Sequence, residues 1–152
     1  MQPLIGTAAE LYGWVVGISD GDTIKVLDDS RQQHSIRLMG IDAPEKSQPF
    51  GLRSKQSLSE LVFDKQVSVQ WSKRDKYGRI VGKVRSQDGR DICLEQISRG
   101  MAWHYAKYAN EQLPADRGVY ADAERAARQS GFGLWQDPNP ISPWIWRHPT
   151  TR

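Results

Sequence analysis

The sequence predicts an α+β fold in which a five-stranded Greek-key β-barrel of the OB-fold type carries three α-helices. Three observations support this class. Short segments alternate apolar and polar residues, as half-buried strands do. Turn residues bound these segments. The order along the chain is three strands, a helix, two strands and two helices, which is the order that a small barrel of this type requires.

The first three strands are expected at 12–18, 22–28 and 34–41. Asp20 and Gly21 form a turn dipeptide between the first two. Side chains two positions apart in a strand share a face, so Asp22 would point to the core side with Ile24 and Val26. Two explanations remain open. Either the strand begins one residue later and Asp22 caps the turn, or a positive group lies beside its carboxylate.

The later elements are expected in the order helix, strand, strand, helix, helix, at 51–63, 66–71, 79–86, 92–100 and 115–130. The first of these helices has leucines at mostly helical spacings after a proline and a glycine that mark its start. Asp91 is a candidate N-cap for the second helix, and Gly100 ends it. Gly131 ends the third. The segment that follows holds four prolines, so it is expected to be extended and docked, with its two tryptophans either anchoring it or left exposed.

The chain length of 152 residues indicates one domain that is large enough to bury a core. We expect an N-terminal lead-in at 1–11, the barrel domain at 12–136 and a Pro/Trp-rich C-terminal extension at 137–152. No apolar run approaches the roughly 20 residues of a membrane span, so no membrane association is expected. Nothing in the sequence indicates an obligate protein partner.

Charge and cysteine content restrict the function only weakly. The net charge is +3 and the pI is near 9.1, which is a mild preference for polyanions. The single cysteine, Cys93, has apolar neighbours and is expected to be a small core residue. The first residues lack the basic and apolar regions of a secretory signal. The sequence alone therefore leaves the cytoplasm and an exported location open.

The segment SIRLMGIDAPE, residues 35–45, places Arg37 in a strand with apolar residues on both faces. A buried arginine needs an anionic partner, because burying an unpaired charge is costly. The strand ends at Asp42, Pro44 prevents a helical continuation, and Glu45 follows. This segment alone supports two hypotheses equally: a buried ion pair of Arg37 with Asp42 or Glu45, and a ligand-binding role for Arg37.

Asp22 and Asp42 lie near the ends of neighbouring expected strands, with Glu45 close by. Three carboxylates at one mouth of a barrel repel each other unless a cation is present. Ligation by oxygen, completed by carbonyls and waters, suits a hard cation such as Ca²⁺ or Mg²⁺ rather than zinc. The three histidines show no metal-ligand spacing and receive no role.

Arg79 follows a Tyr-Gly turn and begins the next strand. Two arginines that face a carboxylate–metal site suit phosphodiester hydrolysis, because they and the metal stabilise the charge that grows on the phosphoryl oxygens. A carboxylate would then orient or deprotonate the attacking water. Taken alone, Arg79 fits better as a surface residue beside Asp75.

Three motifs in this order resemble those of the staphylococcal nuclease (thermonuclease) family. The motifs are DGDT (20–23), RLMGIDAPE (37–45) and DKYGR (75–79). The resemblance covers roughly 12–136, and the segment PNPISPWIWR is similar to an extension in many bacterial members. It implies an OB-fold barrel with three helices and a Ca²⁺-dependent phosphodiesterase, with Mg²⁺ or Mn²⁺ as alternatives. The implied substrates are DNA and RNA, with single strands preferred and 3′-phosphate ends as products.

The resemblance also implies residue roles. Asp22 and Asp42 would bind the metal through their carboxylates, and Ala43 through its main-chain carbonyl. Glu45 would position or deprotonate the attacking water. The scissile phosphate would be held by Arg37 and Arg79.

Substrate contacts are implied at Lys76, Tyr77 and Tyr108. Lys76 and Tyr77 match positions that touch a terminal phosphate, and Tyr108 matches a tyrosine that lies against a base. Tyr105 is a possible substitute for a second such tyrosine. A core role for Trp103 and Tyr105 is supported at least as well as stacking against a base. The family also favours a secreted or periplasmic location, with the cytoplasm still open.

A different class of function remains as an alternative, namely a non-catalytic OB-fold module that binds nucleic acid or a protein. A module that has lost catalysis is expected to have lost some of the side chains that the chemistry needs. None of the five is missing: Asp22, Arg37, Asp42, Glu45 and Arg79. The sequence therefore favours the nuclease.

Overall fold

Seven strands are assigned in the computed structural model, which describes residues 9–149. The strands are β1 (Ala9–Asp20), β2 (Thr23–Leu27), β3 (Gln33–Leu38), β4 (Ile41–Asp42), β5 (Gln66–Arg74), β6 (Ile80–Ser86) and β7 (Trp103–His104). Five of them close a barrel in the order β1-β2-β3-β6-β5, and β5 pairs with β1. Only β3 and β6 are parallel neighbours in this barrel. The predicted α+β fold with a five-stranded OB-type barrel is confirmed.

The predicted helices are present with nearly the expected bounds. The helices are α1 (Gly51–Val62), α2 (Ile92–Ser98), α3 (Pro114–Ser130) and α4 (Pro143–Arg147). Asp91 accepts a hydrogen bond from the amide of Leu94 at 3.1 Å, which confirms it as the N-cap of α2. Gly131 ends α3 with a left-handed φ of 67°. Two 3₁₀ segments, Ala106–Glu111 and Gly133–Gln136, flank α3.

The core lies inside the barrel and between the barrel and α1 and α2. Apolar side chains from alternate strand positions fill it, as the period of two requires. Members that are fully buried include Ile24, Val26, Ile36, Val69 and Val84. Cys93 belongs to this core, and burial raises the pKa of its thiol to about 12. It is therefore a packing residue, as expected.

The predicted strand 34–41 is interrupted, and this part of the prediction was wrong. Gly40 has a φ of +83°, a conformation that favours glycine. The chain turns there, and Ile41–Asp42 leaves the barrel to pair with Trp103–His104. A continuous strand would have kept Asp42 in the barrel wall. The break instead places its carboxylate beside the β1–β2 turn.

The C-terminal extension also differs from the expectation. It is docked, but it contains the short helix α4 instead of remaining extended. Pro143 occupies the first helical turn, where a fixed φ and a missing amide proton are tolerated. At the other end of the chain, β1 includes residues 9–11 of the expected lead-in. Residues 1–8 and 150–152 lie outside the described residues, so the domain boundaries stay a prediction.

Candidate active site

Two turns bring carboxylates together at one end of the barrel. Asp20 ends β1, Asp22 precedes β2, and Asp42 ends β4. Asp22 is 5% exposed and Asp42 is fully buried. The turn passes so close to α1 that a Cβ on Gly21 would lie 1.8 Å from the hydroxyl oxygen of Ser54. Only glycine fits at this position, which explains the DGD sequence.

Asp22 is held by three contacts. Its Oδ2 accepts a hydrogen bond from the amide of Ala43 at 2.7 Å, and its Oδ1 accepts one from the hydroxyl of Thr23 at 3.0 Å. The Nη1 of Arg37 lies 3.4 Å from Oδ2. Asp22 therefore precedes its strand and faces a positive group, as expected, but the carboxylate that caps the turn is that of Asp20, which accepts from the amide of Asp22 at 3.1 Å.

Arg37 lies between the two buried aspartates. Its guanidinium is 3.4 Å from Asp22 and 3.3 Å from Asp42, and it donates to the carbonyls of Leu38 (3.1 Å) and Ile41 (2.8 Å). The buried ion pair is thus present with both aspartates, while Glu45 contacts a different arginine. The positive guanidinium of Arg37 therefore lies beside both carboxylates.

The guanidinium of Arg79 has two hydrogen-bonding partners. Its Nε donates to Asp75 at 2.7 Å, and its Nη1 lies 3.5 Å from the hydroxyl of Thr23, which in turn contacts Asp22. The surface pair with Asp75 is therefore real. The same guanidinium also reaches the carboxylate cluster through one hydroxyl group.

Glu45 has an arginine partner that the sequence did not reveal. Arg147 of α4 places Nη1 2.7 Å from Oε2 of Glu45. The same guanidinium contacts both oxygens of Asp42, at 2.7 Å and 3.2 Å. Acidic and basic groups thus alternate in what we call the carboxylate–guanidinium chain: Asp22, Arg37, Asp42, Arg147 and Glu45.

Crowding of the carboxylates shifts their pKa values. Burial and the nearby charge of Asp22 raise the pKa of Asp20 to about 7. Burial raises the pKa of Asp42 to about 6, despite hydrogen bonds from Arg147. Burial also acts on Asp22, but attraction to Arg37 and the hydrogen bonds outweigh it and hold the pKa of Asp22 below its usual value. The cluster therefore holds more negative charge than its surroundings readily accommodate.

The oxygen donors of this cluster suit a hard cation. Two carboxylates lie on either side of Arg37, and an additional divalent charge would relieve the repulsion that Asp22 exerts on Asp20 and on Asp42. Between residues 9 and 149, no group of three or more His, Cys, Asp or Glu side chains is placed to enclose a metal ion by itself. The predicted ligand set has two carboxylates, so it depends on the Ala43 carbonyl and on water for the remaining positions.

Two of the predicted substrate residues, Tyr77 and Tyr108, have exposed rings. Tyr77 is 72% exposed and carries the cations of Lys76 and Arg79 over its ring, at 5.3 Å and 5.5 Å from the ring centre. Tyr108 is 40% exposed and packs edge-on against Tyr105. Exposed aromatic faces of this kind are available for base stacking.

Tyr105 and Trp103 pack against other aromatic side chains, which agrees with the hypothesis of a packing role. The ring of Tyr105 stacks on Trp144 of the extension, with centres 5.2 Å apart and an angle of 5°. Trp103 is 9% exposed and contacts Trp135 and Trp144 edge-on. These aromatic contacts hold the extension against the barrel domain.

Sequence reasoning missed Asp20, Thr23 and Arg147 as members of the cluster. Asp20 looked like a turn residue, although the spacing of two from Asp22 was a signal for a pair of carboxylates on one turn. Thr23 offered no signal beyond its place in the DGDT motif. Arg147 lies 102 positions from Glu45, and nothing in the sequence connects a single arginine after two tryptophans to a distant acid.

The fold and the cluster define a class of protein, namely OB-type barrels with a carboxylate–arginine site that suits a phosphoryl group. Comparison with known proteins agrees. Residues 35–137 match the family described as Staphylococcal nuclease homologue. The chain therefore belongs to the staphylococcal nuclease homologue family, and the resemblance carried by its three motifs is confirmed.

Several bacterial relatives match almost the whole chain. An "Uncharacterized endonuclease" of Escherichia coli is 43% identical over 92% of this chain and 87% of its own length. "Micrococcal nuclease" of Shigella flexneri is 42% identical over 91% of this chain and 82% of its own length. "Protein ParB" of Escherichia coli is 41% identical over 91% and 80%. Family and relatives together support a nuclease whose substrate is nucleic acid. No helix within the described part of the chain is long and apolar enough to cross a membrane.

Proposed function

We propose that this protein hydrolyses phosphodiester bonds of DNA and RNA with the help of Ca²⁺, or of Mg²⁺ or Mn²⁺ in its place. The observation that carries the proposal is the position of Arg37 between Asp22 and Asp42, with Arg79 one hydroxyl group away. The two aspartates that would bind the cation therefore lie next to the two arginines that would bind the phosphate. This combination suits phosphoryl transfer, because the catalysis of that reaction depends on positioning and on stabilising charge.

The proposed roles of the side chains follow from their chemistry. Asp22, Asp42 and the carbonyl of Ala43 would hold the cation, which when bound neutralises phosphoryl charge and lowers the pKa of a water molecule. Arg37 and Arg79 donate to the non-bridging oxygens, since a guanidinium fork matches phosphate geometry.

Glu45 orients the attacking water or accepts its proton. In-line attack expels the 5′-oxygen and leaves a 3′-phosphate. Single strands are the preferred substrate, because the exposed faces of Tyr77 and Tyr108 need unpaired bases or a free end to contact. Lys76 adds a charge near the terminal phosphate.

The deciding experiment measures cleavage of heat-denatured DNA by the purified protein with Ca²⁺, Mg²⁺, Mn²⁺ or EGTA. Glu45→Gln is compared with Glu60→Gln, which removes an exposed carboxylate on α1. We expect cleavage with Ca²⁺, loss of on the order of 10²-fold or more in Glu45→Gln, by analogy with other single catalytic groups, and no change in Glu60→Gln. End-labelling of the products identifies the 3′-phosphate.

Other outcomes would replace parts of the proposal. Cleavage with Mg²⁺ but not Ca²⁺ retains the nuclease and changes the cation. Cleavage in EGTA after exhaustive dialysis contradicts a cation requirement. Tight binding of DNA without cleavage under any ion favours the non-catalytic OB-fold module.

A further inference from the structure

The C-terminal extension places a cation in contact with the residues proposed to serve catalysis. Arg147 contacts both carboxylate oxygens of Asp42 and one oxygen of Glu45. Asp42 has a side chain that is 1% exposed, and that of Arg147 is 32% exposed. The guanidinium therefore covers the solvent side of a buried carboxylate that also contacts Arg37.

Arg147 is held in this position by the docking of the extension. Trp144 stacks on Tyr105, and Pro143 is buried. Gln48 donates from its side-chain amide to the carbonyl of Ile141 at 2.5 Å and accepts from the amide of Glu45 at 3.0 Å. The loop of Glu45 and the extension are thus joined both through Gln48 and through Arg147.

We propose that Arg147 competes with the divalent cation for Asp42, so that docking of α4 and binding of the cation oppose each other. This inference rests on the cation site of the proposed function. A guanidinium and a hard cation use the same lone pairs of a carboxylate and neutralise the same charge. Two cations beside one carboxylate repel each other, and at close range in a partly buried site this repulsion is only weakly screened.

Competition has a reciprocal consequence. If Arg147 lowers the affinity of the cluster for the cation, the cation lowers the stability of the Arg147 contact by the same factor. Arg147 then leaves Asp42 and Glu45 when the cation is loaded, which frees Oε2 of Glu45 to contact water. In the metal-free enzyme the extension places a balancing positive charge beside Asp42 and Glu45, and binding of the cation releases Glu45 from this arginine partner.

The test is a calorimetric titration of Ca²⁺ into the full chain and into Arg147→Ala, with Arg90→Ala as the control. Arg90 is an exposed arginine that pairs with Asp88. Arg90→Ala therefore removes the same positive charge as Arg147→Ala, but away from Asp42 and Glu45. We expect Arg147→Ala to bind Ca²⁺ about 5-fold or more tighter, within the range of coupling between linked sites, and Arg90→Ala to bind as the unchanged chain does. Trp144→Ala, which removes the stacking contact, should shift the affinity in the same direction.

A second readout follows the extension itself. Hydrogen exchange of the amides of 144–147 in the unchanged chain should become faster when Ca²⁺ is added. Equal or weaker Ca²⁺ binding by folded Arg147→Ala overturns the competition, and cleavage by the unchanged chain then still supports the proposed function. Failure of every variant to bind Ca²⁺, Mg²⁺ or Mn²⁺ overturns both the competition and the cation requirement.

Discussion

Gln96 donates a hydrogen bond from its side-chain amide to the carbonyl of Gly21 at 2.8 Å. Gln96 is fully buried, and it also donates to the carbonyl of Ser54 and accepts from the hydroxyl of Ser57. One side chain of α2 thereby fixes both α1 and the turn that presents Asp22. The position of a proposed cation ligand depends on a residue that lies far from it in sequence.

Gln96→Ala should lower the free energy of unfolding by about 2–3 kcal/mol, because several buried polar groups would lose their partner. Urea unfolding monitored by tryptophan fluorescence measures the change. The control is Gln87→Ala, which removes an exposed hydrogen bond to Gln66 and should stay within about 0.5 kcal/mol. Equal losses in the two variants would show that burial of Gln96 does not matter.

Gly21→Ala should impair both folding and cleavage. The new methyl group would lie 1.8 Å from the Ser54 hydroxyl and 2.9 Å from Cβ of Ala43, so the turn must move away from α1. We expect a loss of about 1–3 kcal/mol, as for other overpacked positions. Gly118→Ala in α3 meets no atom within 4 Å and should add about 0.5–1 kcal/mol, because alanine is the better helix former. A stable, fully active Gly21→Ala protein would contradict this account of the DGD turn.

The order of elements could be predicted because local patterns determine it. Alternation gave the barrel strands, and Asp91 and Gly131 marked helix ends by capping chemistry. The break at Gly40 could not be predicted in this way. Glycine is compatible with a buried strand, and only the pairing of Ile41–Asp42 with a distant segment selects the turn.

The pH dependence of stability should show the crowding of carboxylates. A carboxyl group whose pKa is higher in the folded protein than in the unfolded chain binds protons more tightly when folded. Its contribution to stability is complete below about pH 4 and is lost as the pH rises through the folded value. Asp20, with a pKa of about 7, and Asp42, with a pKa of about 6, belong to this group. Asp22 acts in the opposite sense, since its lowered pKa contributes stability above about pH 4 that acid removes.

Asp20→Asn should therefore flatten the decline in stability between about pH 4 and pH 7 in EGTA, since it removes the group with the higher pKa. Urea midpoints at four or five pH values across this window measure the slope. Asp29→Asn removes an exposed carboxyl of the β2–β3 turn and should leave the slope unchanged. A slope that is identical in the unchanged chain and in Asp20→Asn would rule out Asp20 as its source.

Part of the candidate site could be predicted and part could not, for a physical reason. Asp22, Arg37 and Asp42 stood out because each is a charge at a position expected to be buried, and such charges need partners. Arg147 is a charge in a polar tail, where solvation is the ordinary state. Only the stacking of Trp144 on Tyr105 brings it to Asp42, and that contact depends on the whole tertiary fold.

Arg79 allows a sharp separation of two roles. If it serves only as the surface partner of Asp75, then Arg79→Ala and Asp75→Asn should cost similar, small amounts of stability and leave cleavage nearly unchanged. If it binds the scissile phosphate, Arg79→Ala should lose on the order of 10²-fold in kcat, as on removal of one donor to a developing oxyanion.

Asp75→Asn is the matched control for that substitution. It keeps the guanidinium and can still accept the amide hydrogen bonds that shape the turn at Tyr77 and Arg79, so most of the activity should remain. Steady-state cleavage of a short single strand gives kcat and KM for both proteins. Arg79→Ala removes the guanidinium, whereas Asp75→Asn keeps the guanidinium and removes only its charged partner. A large loss of kcat in the first variant alone therefore indicates phosphate binding. Near-normal turnover of a folded Arg79→Ala protein would assign Arg79 to the surface pair alone.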